Sequence, residues 1–88
     1  MVRYLVESYV PNHADGVERL RAEASALARS SGVRYVRAIL VPGDETCFHV
    51  VEAASAKDVG AAAGDAAIAV ERIVEAFEIS RRDLKEEK

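Results

Sequence analysis

Four segments rich in β-branched and aromatic residues alternate with two stretches of helical periodicity, and this order limits the folds open to the chain. The predicted strands cover residues 2–10, 33–41, 45–53 and 72–79. Pro11 ends the first strand, because proline has no N–H to donate to a neighbouring strand. One predicted helix follows the first strand and the other follows the third, so the element order is β-α-β-β-α-β.

The two predicted helices are recognised by their first residues and by the spacing of their apolar positions. Asp15 is followed three residues later by Glu18, the pattern of a capping box, and apolar residues then recur at spacings of three and four until Gly32. Ser55 and Asp58 form a second box before an alanine-rich segment with two glycines. We expect this second helix to be short, because glycine disfavours helix interiors.

The element order predicts an α+β domain of the ferredoxin-like, split βαβ type. Right-handed crossovers place both helices on one face of a four-stranded antiparallel sheet, with the first and third strands central. A chain of 88 residues has room for one domain. We assign that domain to residues 1–80 and interpret residues 81–88 as a charged C-terminal tail.

The third strand carries the single cysteine and one of the two histidines on the same face. Cys47 and His49 are two residues apart, and side chains alternate between faces along a strand. His13, the other histidine, lies in a polar turn and is predicted to be solvent-exposed. The pair on the third strand is therefore the main candidate for site chemistry.

The face that the pair occupies depends on the hairpin between the second and third strands. A three-residue turn or a bulge places Cys47 and His49 on the sheet face that the helices leave uncovered. A two-residue turn at 43–44 instead places them beside Ala38 and Leu40. The two registers give different sites.

We favour the first register because it keeps charged side chains out of the core. The uncovered face then carries, besides the cysteine and histidine, a mixed set of residues: Glu7, Tyr9, Tyr35, Arg37, Ile39 and Val51. Together with Leu5, the members Tyr9, Tyr35, Ile39 and Val51 form an apolar patch of a kind that monomeric proteins rarely leave in water. We therefore expect a homodimer formed through this face or through a sheet edge.

A thiol, an imidazole and a carboxylate on one face suggest a transition-metal site. In the favoured register Cys47, His49 and Glu7 supply three ligands of types that nickel, zinc and copper accept. A simpler interpretation makes Cys47 a small half-buried hydrophobe, His49 a hydrogen-bonded interface residue, and Glu7 the ion-pair partner of Arg37. The spacing alone leaves both interpretations open.

Four segments in order resemble a known family. They are Arg3-Tyr4-Leu5-Val6-Glu7, Gly32-Val33-Arg34-Tyr35-Val36, Thr46-Cys47-Phe48-His49-Val50-Val51-Glu52-Ala53-Ala54-Ser55 and Glu71-Arg72-Ile73-Val74-Glu75-Ala76. The chain resembles, over nearly its whole length, the domain-of-unknown-function family that includes a small nickel-binding protein of ferredoxin-like fold. The resemblance implies a homodimer that binds nickel or another transition metal through histidine, cysteine and carboxylate side chains. Glu7 matches the family's first-strand glutamate, whereas Arg37 stands where many members have a histidine and His49 where many have a cysteine.

Charge and composition exclude several other classes of protein. The net charge is −3 and the basic residues form no cluster, so nucleic acid is not an expected partner. No apolar run approaches the length of a membrane span, and no leader segment is recognisable. One cysteine cannot form an internal disulfide, which favours a cytoplasmic location.

Two main functions remain open at this point. The first is a small non-enzymatic homodimer that binds a transition metal through Glu7, Cys47 and His49. The alternative is an enzyme of the dimeric α/β-barrel type, with a pocket for a small organic substrate lined by Tyr9, Tyr35, His49 and either Phe77 or Val74. A purely structural dimerisation unit is a third possibility.

Overall fold

The structure, a computed structural model, describes residues 1–11 and 15–84 of the chain. His13 and the last four residues of the predicted tail lie outside this part. The elements are β1 (Val2–Tyr9), α1 (Gly16–Ala28), β2 (Arg34–Val41), β3 (Thr46–Ala53), α2 (Ala56–Asp65) and β4 (Val70–Glu75), with 3-10 turns at Pro42–Asp44 and Arg82–Leu84. One antiparallel sheet has the strand order β2-β3-β1-β4. This confirms the ferredoxin-like α+β fold.

The two helices begin at the predicted residues. Ser55 caps α2 by accepting a hydrogen bond from the Asp58 N–H at 3.3 Å. Asp15 holds the N-cap position of α1, although its side chain makes no capping hydrogen bond to that helix. The fourth strand is shorter than predicted, because regular pairing ends at Glu75 and residues 76–79 follow as an irregular segment.

The core lies between the helices and one face of the sheet and is built mostly from small side chains. Its buried members are Tyr4, Val6, Leu27, Val33, Val51, Ala53, Val59, Ala62, Ala63 and Ile68. In α2 the helical spacing of Val59, Ala62, Ala63 and Ala66 predicts an inward stripe; the first three are buried in this set, and Ala66 packs partly buried against it. Each fully buried valine or leucine contributes about 1.5–3 kcal/mol relative to an exposed one.

The hairpin between β2 and β3 turns Cys47 and His49 towards the helices. Cys47 lies opposite Leu40, and His49 lies opposite Ala38. The connection has four residues, 42–45, and ends with Glu45 in the left-handed region at φ 52°. This connection gives β2 and β3 the register that the alternative prediction, a two-residue turn at 43–44, would also give. The prediction that the pair lies on the uncovered face is therefore wrong.

A bulge in β2 reverses the side-chain alternation within that strand. Tyr35 pairs with Val51, but the next paired residue is Arg37, opposite Val50. A bulge inserts one extra residue, here Val36. Strict alternation would place Tyr35 and Arg37 on the same face, but with the bulge they lie on opposite faces of the sheet. Tyr35 consequently lies on the helix side with Val51, which is fully buried. Their predicted placement on the uncovered face is also wrong.

Four of the residues predicted on the uncovered face do lie there. Tyr9 and Ile39 are 44% and 47% exposed, and Arg37 forms an ion pair with Glu78. Glu7 is also on this face, opposite Phe48. The predicted face is thus divided between the two sides of the sheet.

Candidate metal centre

A buried polar cluster lies between the sheet and α1. In the central strands Val6 pairs with His49 and Ser8 pairs with Cys47, so these side chains share the helix-side face. Glu23 reaches them from α1 and is 8% exposed, while His49 and Cys47 are fully buried. Ligand atoms of Glu23, Cys47 and His49 all lie within 4.8 Å of one another.

One ring nitrogen of His49 is the centre of this cluster. His49 Nε2 lies 3.0 Å from Glu23 Oε1 and 3.7 Å from Cys47 Sγ. Ser8 Oγ donates to the same Glu23 oxygen at 3.4 Å. A carboxylate, a thiol and an imidazole nitrogen therefore face a common point.

The other ring nitrogen of His49 is held by Tyr35. Tyr35 Oη and His49 Nδ1 are 2.8 Å apart, and the two rings meet edge to face. A tyrosine hydroxyl both donates and accepts hydrogen bonds. When Nε2 donates to Glu23, a neutral ring accepts the Tyr35 proton at Nδ1. When Nε2 binds an ion, Nδ1 carries the proton and donates it to the Tyr35 oxygen.

Burial and the nearby carboxylate keep the Cys47 thiol and the Tyr35 hydroxyl neutral. Burial, reinforced by the Glu23 charge and opposed by a Ser8 hydrogen bond, raises the pKa of Cys47 to about 11. Burial, followed by the charges of Cys47 and Glu23, raises the pKa of Tyr35 to about 12. A divalent cation would reverse this balance at Cys47, because metal ligation deprotonates a thiol.

The cluster is also satisfied by hydrogen bonds within the protein. Among the described residues, every buried side-chain nitrogen and oxygen has a hydrogen-bond partner. Buried polar groups are tolerated when they are paired in this way. The same contacts thus stabilise the fold and hold three ligand types in place.

The structure brings together two of the three predicted ligands and separates the third. Glu7 lies on the opposite sheet face, where its carboxylate accepts a hydrogen bond from Arg72 Nε at 2.6 Å. Glu7 therefore cannot share an ion with Cys47 and His49. The simpler prediction of a Glu7–Arg37 pair is wrong as well, because Arg37 pairs with Glu78.

Glu23 is the site residue that the sequence analysis missed. It lies four residues before Leu27 and seven after Gly16, and these three are the buried residues of α1. Spacings of four and seven mark one helix face. The position of Glu23 on the buried face of the helix is the sequence signal that could have identified it. Charged residues are generally excluded from protein cores, and this rule favours an exposed Glu23 instead.

The pocket predicted for the enzyme alternative does not form as described. Tyr35 and His49 lie beneath the helices, whereas Phe77 borders a groove on the uncovered face with Leu5 and Ile39. Val74 pairs with Leu5 on that same uncovered face. Tyr35 and His49 therefore share no cavity with Tyr9 and either Phe77 or Val74.

Comparison with known proteins gives a fold relationship. No protein-family model matches the chain, and no curated protein matches it. The structure is similar to the crystal structure of SCO4226 from Streptomyces coelicolor A3(2), with a TM-score of 0.65 and 17% sequence identity. The match covers 84% of this chain and 94% of that one. At this identity the likeness supports the ferredoxin-like fold alone.

Neither helix in the described part of the chain has the length and apolar character needed to cross a bilayer.

Proposed function

We propose that this protein binds a transition-metal ion between α1 and the sheet, through Glu23, Cys47 and His49. The observation that carries the proposal is the convergence of three different donor atoms within 4.8 Å of one another in a buried site. Thiolate and imidazole ligands favour zinc, nickel, cobalt and copper over magnesium and calcium. Nickel is the ion suggested by the family resemblance, and zinc is the natural comparison.

The spacing of the donor atoms is close to what such an ion requires. With bonds of about 2.0–2.3 Å, the ligands of a tetrahedral site lie roughly 3.3–3.8 Å apart. The distances from His49 Nε2 to Cys47 Sγ and to Glu23 Oε1 are 3.7 and 3.0 Å. The donor atoms of Cys47 and Glu23 lie within 4.8 Å of each other, so binding one ion requires side-chain movement chiefly between these two ligands.

Charge balance also supports an ion at this position. Ligation would convert the neutral Cys47 thiol to a thiolate beside the Glu23 carboxylate, and two buried negative charges without a cation would be costly. A divalent cation neutralises both Glu23 and Cys47. Tyr35 then fixes the tautomer of His49 that leaves Nε2 free to bind, as hydrogen-bond partners of metal-bound histidines commonly do.

Isothermal titration of reduced, metal-free protein with Ni²⁺ and with Zn²⁺ tests the proposal. We expect one ion per chain, and affinity reduced by about 100-fold or more in Cys47→Ser, His49→Gln and Glu23→Gln. Glu7→Gln is the matched control, because it removes the same charge on the other face of the sheet and should leave affinity unchanged. Equal weak binding by the wild type and all three site variants would contradict the proposal.

A spectroscopic measurement separates ligation from an indirect effect on folding. Co²⁺ or Ni²⁺ bound to a thiolate gives a sulfur-to-metal charge-transfer absorption in the near ultraviolet. We expect this band in the wild type and in Glu7→Gln, and its loss in Cys47→Ser with an unchanged far-ultraviolet circular dichroism spectrum. A bound ion without the band would place the ion away from Cys47.

A further inference from the structure

The proposed metal centre is closed off from solvent. The side chains of Cys47 and His49 are fully buried, and that of Glu23 is 9% exposed. Where a protein supplies only some of the ligands of a metal ion, water completes the coordination shell and needs an open position beside the ion. Because all three ligands are buried, such a position is hard to fill from solvent, and a further donor should come from the protein.

A fourth polar side chain shares this enclosure. Ser8 is fully buried, and it lies directly opposite Cys47 in the pairing of β1 with β3. Its hydroxyl donates at 3.4 Å to Glu23 Oε1, which is also the oxygen that contacts His49 Nε2. A hydroxyl oxygen has two acceptor lone pairs besides its proton, so it can bind a cation while it donates. Ser8 therefore adds an oxygen donor beside the three ligands.

The polar content of the core points to the same group of residues. Among the described residues, the buried polar or charged side chains are Ser8, Glu23 and His49. Buried polar groups are costly unless they are paired, yet all three belong to this one cluster, together with the chain's single cysteine. Tyr35 is a half-buried neighbour, but its hydroxyl contacts His49 Nδ1, on the other side of the ring from the nitrogen available to an ion. Ser8 is therefore the fourth donor that the described core offers.

Four donors in this arrangement suit a tetrahedral ion. Ser8, Cys47 and His49 belong to the sheet, whereas Glu23 reaches the cluster from α1. Donors from two layers surround an ion instead of lying in one plane with it. Closed sites with four protein ligands are the tetrahedral structural sites of zinc, whereas square-planar or tetragonal sites are typical of nickel and copper(II). The geometry therefore favours zinc over the nickel that the family resemblance implies.

We infer that Ser8 is the fourth ligand of the metal centre, and that the resulting closed site selects zinc and cobalt over nickel. This inference rests on the proposed function and makes it more specific, because it names the class of ion. A site without an open position for water or substrate is a structural one. Its role is then to join α1 to the sheet.

Competition between Co²⁺ and Ni²⁺ tests the selectivity. At sites that impose no geometry, affinity rises from Co²⁺ to Ni²⁺. A tetrahedral site reverses this order, because it denies nickel its preferred geometry. We expect reduced wild-type protein to bind Co²⁺ about tenfold more tightly than Ni²⁺ in titrations against a chromophoric chelator, and Zn²⁺ to displace both ions. Tighter binding of Ni²⁺ than of Co²⁺ would overturn the selectivity and leave the proposed metal centre intact.

Ser8→Cys tests the fourth ligand directly. The substitution places a sulfur where the hydroxyl oxygen lies, and a second thiolate on Co²⁺ should increase the sulfur-to-metal charge-transfer absorption about twofold. Ala53→Cys is the matched control, because Ala53 is buried in the same strand as His49 but lies about 13 Å along it. Its absorption should equal that of the wild type. Equal absorption in Ser8→Cys and Ala53→Cys would overturn the assignment of Ser8.

A small anion shows whether the site is closed. In the wild type loaded with Co²⁺, added azide should leave the visible absorption unchanged, because no coordination position is free. Ser8→Ala removes one donor, so azide should bind the ion and shift the absorption, and affinity for Co²⁺ should fall by about 10–100-fold. An equal response of the two proteins to azide would contradict a closed site with Ser8 as a ligand. A wild type that binds no ion would instead contradict the proposed function, and this inference with it.

Discussion

His49 Nε2 lies 3.0 Å from Glu23 Oε1, although the two residues belong to different layers of the fold. This contact joins α1 to the central strand β3 through a polar bond inside an apolar core. Its surroundings are Ser8, Cys47 and Tyr35, each within hydrogen-bonding reach of one of the two partners. The pair therefore has consequences for stability as well as for ligand binding.

Removing the carboxylate of Glu23 should destabilise the protein. Glu23→Ala leaves His49 Nε2 and Ser8 Oγ without their acceptor in a buried site, and we expect a loss of about 1–3 kcal/mol in the free energy of unfolding. Glu23→Gln should cost less, because the amide oxygen still accepts. Urea denaturation measures both. Glu18→Ala, on the exposed side of the same helix, is the control, and a Glu23→Ala variant as stable as this control would show that the contact contributes nothing.

Tyr35→Phe should weaken metal binding without removing a ligand. The substitution deletes the hydroxyl that lies 2.8 Å from His49 Nδ1. Loss of such a partner typically lowers metal affinity by about 10–100-fold. Competition titration with a chromophoric chelator measures the change, and Tyr9→Phe on the exposed face is the matched control. Equal affinities in the two variants would mean that Tyr35 does not orient the ring.

Stability of the metal-free protein should fall at alkaline pH. The pKa of Cys47 is raised to about 11 and that of Tyr35 to about 12, so the folded state favours their neutral forms. This contribution is fully present below the ordinary pKa values of the two groups, and it is lost as the pH rises from about 9 through the raised values. Urea denaturation between pH 7 and about 10.5 should show the decline, with a shallower slope in Cys47→Ala. Parallel pH profiles for the two proteins would contradict this account.

The element order and the inward stripe of α2 followed from sequence patterns, because strand and helix periodicity are local properties. The face of the Cys47–His49 pair did not. It depends on the register of the β2–β3 hairpin, just as the face of Tyr35 depends on the bulge at Val36. A shift of one residue at either place moves side chains to the other face of the sheet. Neither feature has a distinctive local signature in this chain.

The separation of Glu7 from the site has a related cause. Glu7 pairs with Phe48 rather than with Cys47 or His49. β1 and β3 are joined through a helix and another strand, so no turn fixes the register between them. The predicted faces of their side chains therefore depend only on the argument that charged residues stay out of the core. That argument holds for Glu7 and Arg37, which are both outside. It fails for Glu23, because His49 and Ser8 satisfy its carboxylate within the core.

Metal binding should stabilise the folded protein, and removal of the metal should reverse the effect. An ion that binds only the folded state adds about 2.7 kcal/mol when its free concentration is 100 times its dissociation constant. The midpoint of thermal unfolding of the wild type and of Glu7→Gln should therefore rise by roughly 10–20 °C at such a concentration of Ni²⁺ or Zn²⁺ and return after a chelator is added. Cys47→Ser, which keeps a polar side chain of nearly the same shape, should show little shift. An equal rise in Cys47→Ser and the wild type would mean that the stabilising ion binds elsewhere on the protein, and the buried cluster would then be a structural network only.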